Sequence, residues 1–527
     1  MRANAAGAYV VGADLPGLRW EPWSSHWEGR LTLEPGERVT RYVVITMGPR
    51  APALQTCEAL LRNPAKALED GRADFAARTR DLFSRLPRLE ASDPRLVAYY
   101  NRSLVHFLLN QWHVPEFILN PYYSTGSIKG GCVGNYLWDY GGPYELFPLY
   151  DPAAAREHIK QFLRIDITKH FLFNPVDGTA GGPWYPVNQE KIIWSVYHYV
   201  LHTGDLDFLG EMVNGKTVLD WMVYHASYRD DFSKPAVLVS YGKGNNHLEL
   251  RGKYRYDDYM PDLNGRRYMN YMLAYRLTEL AGQAQPMLAQ RAERLKLLLK
   301  AELWNAQDRW FWFRYEDGRK EMRYTVQMFK LIGSPVLDKE QLEGLISHLN
   351  EEEFLSDFGL HSMSKKDPAY DQVDIDNGGG GNYVAFTPRI AELLYHAGFP
   401  EKAEDLLRRT LWWGERTPYW CDSFVANQVE YRKDTPLQNA FDATCGAQCI
   451  ICGMFGVGVE TNGDIHINPR PPAFSRSISL TGVKIRGASF DVFARGTSYE
   501  VRTGGKTLRS RVGVPVVLKA EDRARPA

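Results

Sequence analysis

Cysteine is scarce in this chain, with six in 527 residues, too few for the disulfide scaffold of a small secreted domain. Net charge is absent as well. Sixty-three Lys+Arg balance 63 Asp+Glu at a pI near 7.2, which excludes a generally basic nucleic-acid binder and gives no electrostatic reason for membrane attachment. No apolar run reaches the roughly 18 residues of a membrane span, and mean hydropathy is −0.38. The opening MRANAAGAYVVGADLPG has no continuous apolar core of the kind a secretory signal carries. A cytoplasmic location is therefore the expectation, with neither nucleic acid nor membrane as partner. What the chain has in excess is aromatic: 13% Phe, Trp and Tyr, including 14 Trp and 30 Tyr. That excess suits stacking on sugar rings, although large cores also use aromatics.

The length exceeds what one core usually holds, so two or three domains are expected. Leu31 to Thr46 reads as strand, Pro-Gly turn and strand, giving a partial β-sandwich segment over 1–52. So small a sheet is marginal alone; either the chain is a truncated product or these strands dock on the next domain. Residues 53–90 read as a charged helical linker. Ser92-Asp93-Pro94 and Asp151-Pro152 are helix starts, a cap followed by proline. Further helical stretches near 188–203, 206–229, 264–283, 286–304, 323–332, 339–350, 387–398, 400–413 and 437–455 bring the number to about twelve over 91–455. From 456 to 527 the pattern returns to β. About twelve helices between two β modules give a mainly α fold class: an (α/α)6 toroid flanked by a partial N-terminal and a small C-terminal β module. The inner helix ends of a toroid converge on one funnel, where distant residues can meet.

Several segments have the composition of a binding site. In Gly130-Gly-Cys-Val-Gly-Asn-Tyr-Leu-Trp-Asp139-Tyr-Gly-Gly a lone acid stands between Trp138 and Tyr140. Aromatics desolvate a carboxyl and raise its pKa, as a general acid requires; an Asp capping the next helix explains the residues equally well. Gly181-Gly-Pro-Trp-Tyr-Pro-Val-Asn-Gln-Glu-Lys191 offers the ring faces of Trp184 and Tyr185 beside polar Glu190 and Lys191, the mixture a sugar subsite uses, although helix packing after a capping turn accounts for it nearly as well. Lys243 to Asn264 holds His247 and Glu249 in polar, loop-like text that also reads as a solvated surface loop. Tyr370 to Asn382 carries Asp371, Asp374 and Asp376 ahead of four glycines, but without the spacing of a calcium loop; the glycines read as close backbone approach or a sharp turn. Tyr419 to Gln438 places Asp422, Glu430 and Asp434 where a closed ring of helices brings them back beside Asp139. Cys445, Cys449 and Cys452 match an iron–sulfur spacing. They lie at i, i+4 and i+7 in an apolar run, however, where packing thiols belong.

The order of these segments resembles glycoside hydrolase family 63 and related (α/α)6-barrel glycosidases over roughly residues 90–455. Leu137-Trp-Asp139 followed by Leu149-Tyr-Asp-Pro, the run Tyr197 to Leu209, and Phe354 to Ser364 are similar to segments of those enzymes. Ile467-Asn-Pro-Arg-Pro-Pro and Leu480 to Gly487 resemble their C-terminal β module. The chain departs from the family at Asn377-Gly-Gly-Gly-Gly-Asn-Tyr383, and at Asp422-Ser-Phe, where the family places its base Glu. The resemblance implies an inverting hydrolase of an α-glucoside-like oligosaccharide. Asp139 would be the acid and Asp422 the base, with Glu430 in reserve. Trp138, Tyr140, Trp184 and Tyr185 would be stacking walls, and Glu190, Lys191, His247 and Glu249 hydroxyl contacts. No metal or cofactor is implied. A phosphorylase on the same toroid, with Arg432 and Lys433 near the base, and a non-catalytic carbohydrate-binding protein are the competing readings.

Overall fold

Aspartate followed by proline begins two of the helices as the sequence predicts. The computed structural model describes residues 7–15, 17, 19–21, 26–127, 134–243, 257–373, 379–417, 420–430 and 439–523. Within it, α carbons cluster into two units, Met1–Asp81 and Leu82–Ala527. In the first, β1 (Gly7–Ala13) pairs antiparallel with β2 (Val43–Pro49). The helix α1 (Arg50–Arg62) packs on both strands. Gly12 is needed there, since a Cβ would stand 2.5 Å from Leu61 and 2.8 Å from Cys57 Sγ. A second helix, α2, runs Pro64–Arg85.

The larger unit begins within the last turn of α2, and a strand follows where the sequence reads as linker helix. β3 (Arg88–Ala91) leads into α3 (Pro94–Asn110), whose cap Asp93 accepts a hydrogen bond from the Arg95 N–H at 2.9 Å. Next come two short helices, α4 (Leu137–Tyr140) and α5 (Leu146–Tyr150). Asp151 then caps α6 (Pro152–Arg164), accepting from the Ala154 N–H at 3.0 Å. α7 (Asn188–Thr203) stops at Gly204, whose φ of 79° is left-handed and costs glycine nothing. α8 (Val218–Ala226) and α11 (Lys339–Ser347) both start at full capping boxes, Thr217 with Asp220 and Asp338 with Gln341. Between them lie α9 (Pro261–Leu280) and α10 (Pro286–Leu298). β4 (Gly381–Tyr383), α12 (Phe386–His396), α13 (Pro400–Thr410), α14 (Trp412–Arg416), β5 (Ser423–Val425) and α15 (Cys445–Gln448) complete the helical region.

Burial separates inner from outer helices. Every residue from Pro261 to Tyr268 at the start of α9 is buried, including Asp262, Asn264, Arg266 and Arg267, so this helix has no solvated face there. It packs against α7, α8 and α10, while α12 packs on α13 and α3 packs on α14 and α15. Short loops link α9 to α10 and α12 to α13, the spacing of antiparallel helical hairpins. Cys445, Cys449 and Cys452 are buried in α15 and the π turn that continues it. The chain then enters β6 (Ser477–Ile485), β7 (Ala488–Arg495), β8 (Ser498–Thr503) and β9 (Lys506–Arg511). β3 closes that sheet in the order β9-β8-β7-β6-β3, antiparallel throughout. Among the described residues, no helix is long and apolar enough to cross a membrane.

α14 meets α3 almost backbone to backbone: a Cβ on Gly414 would lie 2.5 Å from Tyr99 N and 2.6 Å from Tyr99 Cα. Backbone cannot rotate aside as a side chain can. Gly414→Ala is therefore expected to destabilise the larger unit by about 1–3 kcal/mol, read as a lower urea midpoint at unchanged slope.

Candidate active site

Asp139 owes its position to two local features. Asn135 and Tyr136 pair antiparallel with Leu172 and Phe173, and the Leu137 N–H donates to Phe171 O at 2.9 Å. This delivers Asp139 on α4, partly exposed. From the far end of the helical region, β4 and β5 pair with Tyr383 opposite Ser423 and Asn382 opposite Phe424. The Val384 N–H then donates to Asp422 O at 2.8 Å, so Tyr383 and Asp422 are held on neighbouring strand ends.

Between Asp139 and a third acid sits the Tyr383 hydroxyl. It lies within hydrogen-bond reach of Asp139 Oδ1 and of Asp442 Oδ2, the latter at 2.8 Å. Asp442 is 4% exposed, on the turn Phe441–Thr444 ahead of α15. That turn is fixed by the Phe441 N–H donating to Thr125 O at 3.0 Å. Two glycines make room. A Cβ on Gly142 would fall 1.7 Å from Asp442 Oδ1, and one on Gly141 would fall 2.7 Å from Lys191 Cδ.

A phenol has one hydrogen, so it can donate to only one carboxylate at a time. For both contacts to be hydrogen bonds, one of the two carboxyls must itself carry a proton. Their surroundings indicate which. Burial pushes the Asp139 carboxyl well above the ordinary range; the charge of Asp442 pushes the same way, Tyr383 offsets part of this, and Asp422 adds a smaller upward push. Burial also raises Asp442, but Lys191, the Tyr383 hydroxyl, Lys330 and Arg389 pull it back to about 7. Asp442 therefore ionises first and Asp139 keeps the shared proton.

The structure distributes the sequence-predicted residues unevenly. Trp138 joins the cluster, stacked on Tyr185 with ring centroids 5.3 Å apart and edge-on to Tyr383 at 6.5 Å. Asp422 is close enough for its charge to act on Asp139. Trp184 lies further along, stacked on Tyr241 at 6.3 Å with the Arg229 guanidinium over its ring at 4.6 Å. Tyr140 belongs to the core. It is 3% exposed and its ring stacks between His158 and Phe441, at 5.1 and 5.4 Å.

Glu190 is buried in an ion pair with Arg266, which also binds Asp262 at 2.9 Å. Burial raises the Glu190 carboxyl, but Arg266, Lys191 and Lys330 together bring it below its ordinary value. Lys191 is partly exposed with its stem against Gly141. Glu430 is in the loop after β5, where its carboxylate accepts from Gln428 Nε2 and its carbonyl accepts from the Val425 N–H at 2.9 Å. His247, Glu249, Asp374, Asp376, Arg432, Lys433 and Asp434 lie outside the described residues.

Neither motif nor spacing singles out Asp442, and Tyr383 stands in the sequence only as the end of the glycine-rich departure. One signal was available for Asp442: a lone acid in the apolar run Asn439 to Phe455, where a buried charge needs a reason.

No protein-family model matches this sequence, and no curated protein does either. Solved structures do match in fold. A sialidase superposes with a TM-score of 0.67 at 14% identity, over 84% of this chain and 42% of its own. A GH78 family rhamnosidase of Bacillus sp. GL1 superposes with a TM-score of 0.56 at 15% identity, over 79% and 40%. A putative kojibiose phosphorylase from the human microbiome gives 0.50 at 9% identity, over 91% and 67%. The chain thus spans about two fifths of the length of the sialidase and the rhamnosidase. The likeness is one of fold, to neighbours that are (α/α)6-type enzymes with flanking β domains.

A buried carboxyl whose pKa is raised in the folded state is comfortable while protonated and costly once ionised. For Asp442 the cost is absent below the unfolded pKa near 4, grows as pH rises, and is complete above about 7. Asp442→Asn keeps the shape and removes the charge. It is expected to stabilise the protein at pH 8 relative to wild type, on the order of 2–4 kcal/mol, with little difference at pH 4. Urea unfolding at the two pH values checks this; an equal difference at both would contradict it.

Proposed function

We propose that this chain is a glycoside hydrolase that cleaves a glycosidic bond with inversion, on a toroid of six helical hairpins. The observation that carries the reading is the pair Asp139 and Asp442 around Tyr383, an arrangement that keeps one carboxyl protonated at neutral pH beside an aromatic wall. Fold likeness to a rhamnosidase, a sialidase and a phosphorylase supports the same class of chemistry.

Asp139 donates its proton to the leaving glycosidic oxygen as the bond from that oxygen to the anomeric carbon breaks. A water attacks the same carbon from the opposite face and gives a proton to Asp422, which is partly exposed where Asp442 is enclosed. Inversion needs the acid and base about 6.5–9.5 Å apart, so that the water fits between. In this reading Asp442 touches no substrate. It holds charge beside Asp139 and keeps that acid protonated until substrate arrives. Trp138 and Tyr185 give the stacking wall, and the substrate is an α-glucoside-like oligosaccharide.

A phosphorylase is the second reading, with phosphate replacing the attacking water. It is favoured by the positive charge of Lys191, Lys330 and Arg389 around Asp442. Turnover that requires added phosphate would decide for it.

General acid catalysis matters most when the leaving group is poor. Asp139→Asn is expected to slow hydrolysis of alkyl glycosides and oligosaccharides by roughly 10²–10⁴-fold, with a much smaller loss on dinitrophenyl glycosides, whose leaving group departs unaided. Equal losses on both classes would remove Asp139 from the role of acid, and unchanged activity would remove it from the site.

A further inference from the structure

Behind the acid cluster lies a cavity of about 330 Å³, bordered by Gly141, Lys191, Trp194, His198, His202 and Arg389. Three side chains on its wall turn their ligating atoms toward one another. α7 carries His198 and His202 four residues apart, one turn on one face, which is the spacing that lets two imidazoles share an ion. Glu145 comes from the turn before α5, where its backbone N–H donates to Gln448 Oε1 at 3.0 Å. His202 Nε2 is 3.5 Å from Glu145 Oε2 and His198 Nδ1 is 4.0 Å from Glu145 Oε1. All three ligating atoms lie within 4.8 Å of one another.

The hydrogen bonds of His202 determine its tautomer. Nδ1 is 2.8 Å from the His198 carbonyl oxygen, which can only accept, so Nδ1 carries the hydrogen. In the neutral ring Nε2 is then a bare lone pair facing a carboxylate, and His202 is only 2% exposed. At 3.5 Å the pair is at the outer edge of hydrogen bonding, and Nε2 has no well-aligned partner; the buried Nδ1 of His198 has none either. With His198 in the tautomer that leaves its Nδ1 bare, two nitrogen lone pairs and a carboxylate face one another, an arrangement that a cation between them relieves. An Nδ1–H held by a backbone carbonyl, with Nε2 pointing inward, is also how metal-binding histidines are oriented.

Atoms 2.0–2.2 Å from a tetrahedral ion stand about 3.4 Å apart. The 3.5 Å separation, from His202 Nε2 to Glu145 Oε2, already matches this; the 4.0 Å separation runs from His198 Nδ1 to the other oxygen, Oε1, and the three ligating atoms, spread within 4.8 Å, must draw together on binding. The nearby Arg389 guanidinium is paired with Glu392 at 2.7 Å, so it does not oppose a cation with its full charge. We propose that Glu145, His198 and His202 form a binding site for a divalent transition-metal ion, with zinc first. Two imidazoles and one carboxylate suit zinc and not calcium or magnesium, which favour all-oxygen shells. The fourth position faces the cavity and takes water. Glu145 follows Asp139 by six residues, so an ion here would tether the α4–α5 segment, and with it the acid, to α7.

The test is equilibrium dialysis of chelator-treated full-length protein against zinc, with metal content by mass spectrometry and thermal melting in parallel. Stoichiometric uptake and a raised melting temperature are expected for the wild type. In Glu145→Gln and His202→Asn the affinity falls by about tenfold or more and the thermal gain is lost. His198 is 14% exposed, so His198→Ala should fold even if the buried variants do not, and it is expected to weaken binding similarly. Cys452 lies beside Glu145, and Cys452→Ala should retain the metal. No uptake by folded wild type at micromolar free zinc overturns the site. Uptake that survives His198→Ala, or that disappears with Cys452→Ala, overturns it as well.

Discussion

One hydroxyl holds this site together. Tyr383 has a single proton to give and two carboxyl groups within reach, so the trio is satisfied only while Asp139 and Asp442 hold one proton between them. Everything around the trio sharpens that arrangement. Gly142 allows Asp442 to approach and Gly141 lets the Lys191 stem lie close. Lys191, Lys330 and Arg389 favour the charge on Asp442 over a charge on Asp139. Polar groups in so enclosed a place are costly when unpaired, and the protein tolerates them because each member is matched to the next.

The supporting groups come from parts of the chain that are far apart in sequence. Gln448 on α15 accepts hydrogen bonds from the N–H groups of Glu145 and Leu146 at 3.0 and 3.2 Å, and donates to Glu392 on α12 at 3.0 Å. Glu392 in turn pairs with Arg389, one of the cations that act on Asp442. α12, α15 and the start of α5 are thus joined through side chains and not only through apolar packing. Loss of one member leaves a buried charge without a partner, which is more destabilising than never having had the pair.

Helix starts and stops in the sequence were legible to the residue in places, whereas the hairpin read over Leu31 to Thr46 does not form: residues 31–42 hold no strand and Val43–Pro49 pairs with Gly7–Ala13. The stretch 188–203 is α7 over the same residues because Gly204 ends it, and Asp93 and Asp151 cap α3 and α6 as their prolines announce. The four-residue β3 was not legible. Its partners are Ile478 to Thr481, nearly 400 residues away, and nothing local distinguishes it from the end of a helix. The same reason hid Asp442, whose hydrogen-bond partner is Tyr383 and whose charge acts on Asp139. Aromatic content proved ambiguous in the way composition always is. Trp138 and Tyr185 stack beside the acids, whereas Tyr140, one residue past Asp139, is core. On a helix of one turn, adjacent residues point in different directions, so neighbourhood in sequence did not separate the two fates.

The claim on which the account depends is a protonated Asp139 at neutral pH in the resting protein, and infrared spectroscopy reads that proton without a substrate. The expected result is a protonated-carboxyl band at pH 7 in the wild type that loses a component in Asp139→Asn. A wild-type spectrum at pH 7 that Asp139→Asn leaves unchanged would mean that the carboxyl was already ionised. Tyr383 would then be bridging two charges, and the assignment of Asp139 as the acid would fail.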